Sequence, residues 1–190
     1  MLAKGHDFPK LTLVAAIAPD AALFAADWRA PERLFAQLMQ VAGRAGRADR
    51  PGEVLVQTQY PEHPLYAALV RHDYQAFATT QLRERQQAGF PPYAHQAMLR
   101  AEAPRMADAL SFLVSARDCA AGGMDDSVTF YDAVPMRLSR RASLERAQLV
   151  VESRSRQALQ RLLAPWVTRL DAMKVPSRLR WHIEVDPLEF

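Results

Sequence analysis

The sequence predicts an α/β chain in two parts: a small parallel layer of strands and helices, then a unit ordered β-α-β-β-α-β. Three observations carry this. An apolar run at 11–17 is followed by a helical repeat and a second β-rich run at 53–58. Gly89 and the Phe90-Pro91-Pro92 segment then stop a helix and cannot continue it. Beyond that break, β-rich and helical stretches alternate to the end of the 190 residues.

Residues 11–17 are continuously apolar and read as a buried, parallel strand. A loop rich in alanine and aspartate follows. Pro31 suits the first turn of a helix, and Leu34, Leu38 and Val41 recur at helical spacing. That helix ends near Gly43 and Gly46. Pro51-Gly52 is a turn signal that opens the strand at 53–58. Strand, helix, strand in this order implies a parallel layer. Helices at 65–71 and 74–88 come next, and the domain boundary falls between 93 and 94, giving domains 1–93 and 94–190.

In the second part, 96–103 reads as a strand. Pro104 opens a helix with Ala109, Leu110, Leu113 and Val114 on its apolar face, closed by Gly122-Gly123. Strands at 128–134 and 144–152 follow, joined by a loop around Arg140 and Arg141. Ser155 or its neighbour caps a helix with Leu159, Leu162, Leu163, Trp166 and Leu170 on one face, and Pro165 should kink or divide it. Residues 178–185 alternate charged and apolar and form the last strand. This order is that of the ferredoxin-like, split βαβ fold.

Hydrophobic residues make up 49% of the chain, enough for packed cores. No run of about 18 apolar residues is present, so no membrane partner is expected. The start lacks the charged-then-apolar pattern of a secretory signal. A single cysteine, Cys119, excludes an internal disulfide framework and a multi-cysteine zinc site. A cytoplasmic setting fits both. The net charge is +3 and the pI about 9.3, and Lys4, Lys10 and Lys174 are the only lysines. Arginine-borne charge suits two-pronged contacts to phosphate or carboxylate. The excess permits a nucleic-acid partner without requiring one; a solvated basic surface fits equally well.

Two short segments carry the chemistry. In Gln40-Val41-Ala42-Gly43-Arg44-Ala45-Gly46-Arg47, Arg44 and Arg47 stand three apart among glycines that leave a ligand room to approach. An arginine delivered to a γ-phosphate accelerates phosphoryl transfer by about 10³ to 10⁵. Equally, such a segment can be a glycine-capped helix end with arginines facing its dipole. In Leu2-Ala3-Lys4-Gly5-His6-Asp7-Phe8-Pro9, Lys4 and the amides of Gly5 and His6 can meet a phosphate backbone, and Asp7 can accept from a ribose or an arginine. By itself this is an ordinary polar loop before a strand.

Taken together, these segments, separated by an apolar strand, resemble motifs V and VI of superfamily 2 helicases. Residues 23–33, Gly52-Glu53-Val54, Tyr60-Pro61-Glu62-His63-Pro64-Leu65, Pro91-Pro92-Tyr93 and Glu184-Val185-Asp186-Pro187-Leu188-Glu189 further resemble the C-terminal part of the PriA family of primosomal replication-restart helicases. The resemblance implies a partial second RecA-like lobe at 1–93 and a ferredoxin-like DNA-binding domain at 94–190. It implies that Arg47 is the arginine finger, Arg44 a second γ-phosphate contact, and Gln40 the residue that opens the motif. Gly43 and Asp7 would join the ATP side, and Lys4, Gly5 and His6 the DNA side. It implies ATP and Mg²⁺ as cofactors, 3′ to 5′ translocation, and a nucleoid-associated cytoplasmic location. The implied partners are forked and single-stranded DNA, primosome proteins and single-stranded DNA-binding protein.

This sequence departs from the family pattern in lacking G-x-x-x-x-G-K-[ST], an acidic Mg²⁺ box and the cysteines of the family's zinc module. The expectation is a C-terminal piece that needs the missing N-terminal helicase half and does not hydrolyse ATP alone, with any zinc confined to the absent module. Arg137, Arg140, Arg141, Arg146, Arg154, Arg156 and Arg161 form a basic stretch, of which Arg140, Arg141 and Arg146 are the expected DNA contacts. Trp181 and His182 are candidates for stacking on a base, although tryptophan on a strand is more often core. The rival reading is a non-enzymatic module that binds DNA or a primosome protein.

Overall fold

The computed structural model describes residues 11–46, 51–120, 126–141 and 143–188, with the side chain of Arg141 outside that description. The chain divides into two units, Met1–Glu84 and Arg85–Phe190, a boundary some nine residues before the one expected from the proline break.

In the first unit, β1 (Leu13–Ile17) and β2 (Glu53–Gln57) pair in parallel, from Leu13 opposite Glu53 to Ile17 opposite Gln57. Between them runs α2 (Ala30–Ala42), with proline in its first turn. Its buried residues Leu34, Phe35 and Leu38 meet Leu65, Tyr66 and Leu69 of α3 (Pro64–Val70) and Phe77 of α4 (Tyr74–Ala88). Phe35 and Phe77 stack with centroids 4.1 Å apart. The segment expected to be a loop contains a single helical turn, α1 (Asp20–Leu23), which contributes Leu23 to this core.

The apolar run at 11–17 is not buried on both faces. Val14 is 2% exposed, while Leu13 and Ile17 are 53% and 74% exposed and Leu55 on β2 is 51% exposed. Only one face of the described pair is covered, which is unusual for parallel strands. Two caps follow from local chemistry. His63 Nδ1 accepts from the Leu65 N–H at 3.2 Å and starts α3, and Asp73 Oδ1 accepts from the Ala76 N–H at 2.8 Å to start α4. Gly89, at φ 70, ends α4 in the left-handed region.

The second unit is an antiparallel sheet with two helices on one face. Its central strand, β3 (His95–Ala103), pairs with β6 (Leu144–Ser153) and β7 (Arg180–Val185). On the far side of β6 lie β4 (Val128–Phe130) and β5 (Val134–Arg141). The single strand expected at 128–134 is therefore two strands, and the order has one strand more than β-α-β-β-α-β. The expected loop around Arg140 and Arg141 is also corrected, because both residues belong to β5. Pro135 and a break in register between 135 and 140 hide this strand from a periodicity argument.

Alternate residues of β3 and β6 (Ala97, Leu99, Ala101, Ala147, Leu149, Val151) face α5 (Met106–Ala120) and α6 (Arg156–Ala172). The alanines let the helices approach closely. The buried face of α5 is Ala109, Phe112, Leu113, Ala116 and Ala120; Val114, expected there, is 40% exposed. Helix α6 starts at Ser155, whose Oγ accepts from the Ala158 N–H at 3.2 Å. It is not divided at Pro165. That residue is exposed, so the carbonyl deprived of its partner lies on the solvent side.

Candidate functional site

Helix α2 ends at Ala42, one residue before the glycine. Arg44 and Ala45 then donate to Val41 O and Ala42 O at 3.1 Å, a tight turn rather than further α-helix. Arg44 therefore lies in a turn beyond the helix rather than on its face. Gln40 is exposed on the last turn of α2, Gly43 caps it with exposed backbone, and Arg44 is half-buried just beyond. Arg47, Lys4, Gly5, His6 and Asp7 lie outside the described residues.

One main-chain bond fixes this turn to the segment just before β1, and a second beside it joins the starts of the two strands. Gly46 N–H donates to Leu11 O at 2.9 Å, and Glu53 N–H donates to Thr12 O at 2.7 Å. Gly46 has φ 76, where glycine is favoured. Gly52 is required by crowding, since a Cβ there would sit 2.1 Å from the Ala45 carbonyl carbon. Gly43 differs: its φ is −66, and an added Cβ would meet Met39 O at an ordinary 3.5 Å. Neither the backbone at 43 nor the space left by the described residues demands glycine there.

This contrast predicts opposite outcomes. Gly52→Ala should destabilise the first unit by about 1–3 kcal/mol, the usual cost of overpacking. Gly43→Ala should hold stability steady or raise it by about 0.4–1 kcal/mol, by restricting the unfolded chain. Urea unfolding of the two variants beside wild type measures both, and a neutral Gly52→Ala would mean that the turn does not press on residue 52.

At the opposite ends of β1 and β2 is a cluster the sequence did not announce. Asp20 accepts from the Gln59 N–H at 3.0 Å, from Thr58 Oγ1, and from Tyr66 Oη at 3.4 Å. The Gln59 amide and then the Thr58 hydroxyl hold its carboxyl below the usual range, while burial pushes the Tyr66 phenol up. These partners lie 38 to 46 residues away in sequence, so no local pattern could reveal them. The cluster ties the start of α1 to the end of β2 and to α3.

In the second unit the basic candidates separate. Arg146 is only 11% exposed, and its Nε donates to Glu102 Oε1 at 3.0 Å across the β3–β6 pair. Its charge is balanced inside the sheet rather than offered to solvent. Arg140 is 72% exposed near the end of β5, 3.7 Å from Glu145. Arg137, Arg154, Arg156 and Arg161 are exposed as well. Trp181 and His182 point to opposite faces of β7. Trp181 packs on the core against Phe112 at 6.2 Å, and His182 sits 3.3 Å from Glu184 on the other side. They form no joint stacking platform. Among the described residues no group of three or more His, Cys, Asp or Glu could hold a metal, and no helix is long and apolar enough to cross a membrane.

The family described as the primosomal protein N C-terminal domain matches residues 86–188, and the chain belongs to it. Proteins named replication restart protein PriA align along nearly all of the chain. The one from Haemophilus influenzae is 41% identical over 98% of this chain and 25% of its own length. Those from Synechocystis sp. and Rickettsia conorii are 34% and 32% identical over 99% and 100% of this chain, and 22% and 28% of their own lengths. The chain thus spans about a quarter of the length of the curated relatives it matches. A solved structure, the de novo designed protein Foldit4, overlays 50% of this chain and 97% of its own at a TM-score of 0.35 and 9% identity, too loose a likeness to assign a fold.

Proposed function

We propose that this chain is the C-terminal portion of an ATP-dependent 3′ to 5′ DNA helicase that restarts stalled replication forks and initiates primosome assembly. The observation that carries the reading is the alignment of relatives named replication restart protein PriA along the whole chain, arginine segment included. On this reading, residues 1–93 are part of a second RecA-like lobe. Residues 94–190 are a ferredoxin-like DNA-binding domain in which β4 and β5 share the place of the second strand.

Gly43 supports a nucleotide-facing role for the turn after α2. A glycine that the described residues do not require leaves room for close approach of an outside group. ATP with Mg²⁺, bound by the other lobe, supplies the γ-phosphoryl group. Arg47 and Arg44 stabilise the charge that develops on its oxygens, Gln40 and Gly43 shape the approach, and Asp7 joins them from the preceding motif. Lys4, Gly5 and His6 hold DNA phosphates, so nucleotide state and strand grip are coupled through β1. Arg140 and Arg141 supply the DNA contacts of the second unit, while Arg146, bonded to Glu102, acts there only if it leaves that partner.

The test is phosphate release in the presence of ATP, Mg²⁺ and forked DNA. The chain alone should show none above an Arg47→Ala control. Supplying the upstream three quarters of a full-length relative should restore turnover with wild type and not with Arg47→Ala. Turnover by the chain alone refutes the reading. A second reading is favoured by the family match starting at 86, beyond the arginine segment. On it the chain is a non-enzymatic module for DNA or primosome proteins, and it predicts DNA binding with no restored turnover.

A further inference from the structure

Leu138 is 64% exposed on an edge strand otherwise marked by arginine. In an unbroken strand residues two apart share a face, so Leu138 should accompany Met136, which is 9% exposed. The register of β5 on β6 breaks between Pro135 and Arg140, so the alternation does not carry through to Leu138, which is left exposed. Arg137 and Arg140 flank it, both exposed. Among the described residues Arg140 makes an open 3.7 Å pair with Glu145, which is weak enough to exchange for another anion.

We propose that this hairpin recognises DNA where base stacking is interrupted: Leu138 packs on the uncovered base face while Arg137 and Arg140 take the flanking phosphates. The inference rests on the DNA-binding reading of the basic edge and adds to it the feature that the edge reads. A protein strand is the poorer occupant. Pro135 has no N–H to give, the bulge disrupts the ladder, and the arginines repel a basic neighbour. Nucleic acid fits the charge. The magnitudes then choose the kind of DNA. Inserting a side chain into an intact step costs the stacking of that step, which is no smaller than the gain from burying one leucine. At a gap or branch a neighbouring base is missing from the stack, so a base face is already uncovered and the gain is kept.

The experiment uses the 190-residue chain and two DNAs of equal length and matching sequence, one a continuous duplex and one lacking a single central nucleotide, each with 2-aminopurine beside the central position. Wild type should bind the gapped DNA about tenfold tighter, as expected for burial of one leucine, and should change 2-aminopurine emission only there. Leu138→Ala should bind both DNAs alike, at the affinity wild type shows for continuous duplex, and lose the emission change. Leu138→Met should keep both. Arg137→Ala with Arg140→Ala should weaken both DNAs and lower the salt slope by about 0.9 per arginine. A gap preference that survives Leu138→Ala overturns the proposal and leaves the DNA-binding reading intact. Salt-independent or absent binding to both DNAs overturns both. If Leu138→Ala instead turns a dimer into a monomer, the edge pairs chains and the proposal falls.

Discussion

Replacing Arg47 by alanine in a full-length polypeptide that carries this chain should lower ATP turnover by about 10³-fold or more. The loss should fall on kcat and leave KM for ATP nearly unchanged. A guanidinium that meets charge present only in the transition state contributes nothing to ground-state binding. Arg44→Ala should fall short of that loss, since on the proposed reading Arg44 is the second γ-phosphate contact and Arg47 the finger. Lysine at 47 should recover a minor part of the rate, because it restores charge without the two-pronged geometry. Gly43→Ala is the sharper control. It should be as stable as wild type and still lose turnover if a nucleotide approaches this backbone, whereas a mere helix cap would show neither loss. The measurement is steady-state ATPase with saturating DNA. A change below about tenfold in Arg47→Ala, carried by KM, would assign the segment to helix-end electrostatics instead.

What was legible in the sequence follows the range of each interaction. Pro31 with Leu34, Leu38 and Val41 locates α2 because proline placement and helical spacing are local. Residues 53–58 locate β2 for the same reason. The α6 face from Leu159 to Leu170 is likewise written in its own spacing, and all five expected residues are buried. Features set by distant neighbours were hidden. Asp20 gains its partners from after β2 and from α3, so its segment reads only as a polar loop. Arg146 reads as an open member of a basic stretch, and the Glu102 that β3 sets across from it, 44 residues away, is not visible in that local pattern. Gly52 read as a turn signal, yet its requirement is contact with Ala45 across the turn. β5 failed the alternation test because its bulge removes the period of two that the test detects.

That same distinction bears on the second unit, whose stability should hang on one side chain that joins both helices to the sheet. Trp166 is fully buried, donates its indole N–H to Ala116 O at 2.7 Å, and meets Phe130 edge-on at 5.4 Å. It therefore links α6 to α5 by a hydrogen bond and to β4 by ring contact. Trp166→Ala removes both contacts at once and leaves a cavity in a core rich in alanine, whose short side chains cannot extend to fill it. The expected cost is about 3–5 kcal/mol. At about 4–8 °C per kcal/mol for a domain near this size, the second unit's thermal midpoint should fall by more than about 12 °C. Trp166→Phe separates the terms. It keeps most of the ring and drops the donor, so it should cost about 1–3 kcal/mol, the penalty for one buried unsatisfied partner plus lost volume. Near-ultraviolet circular dichroism, dominated by Trp166 and Trp181 in this unit, follows the transition. If Trp166→Ala shifts the midpoint by only a few degrees, the two helices are not bound to the sheet through this indole. The hairpin that carries Leu138 would then be framed by β6 alone.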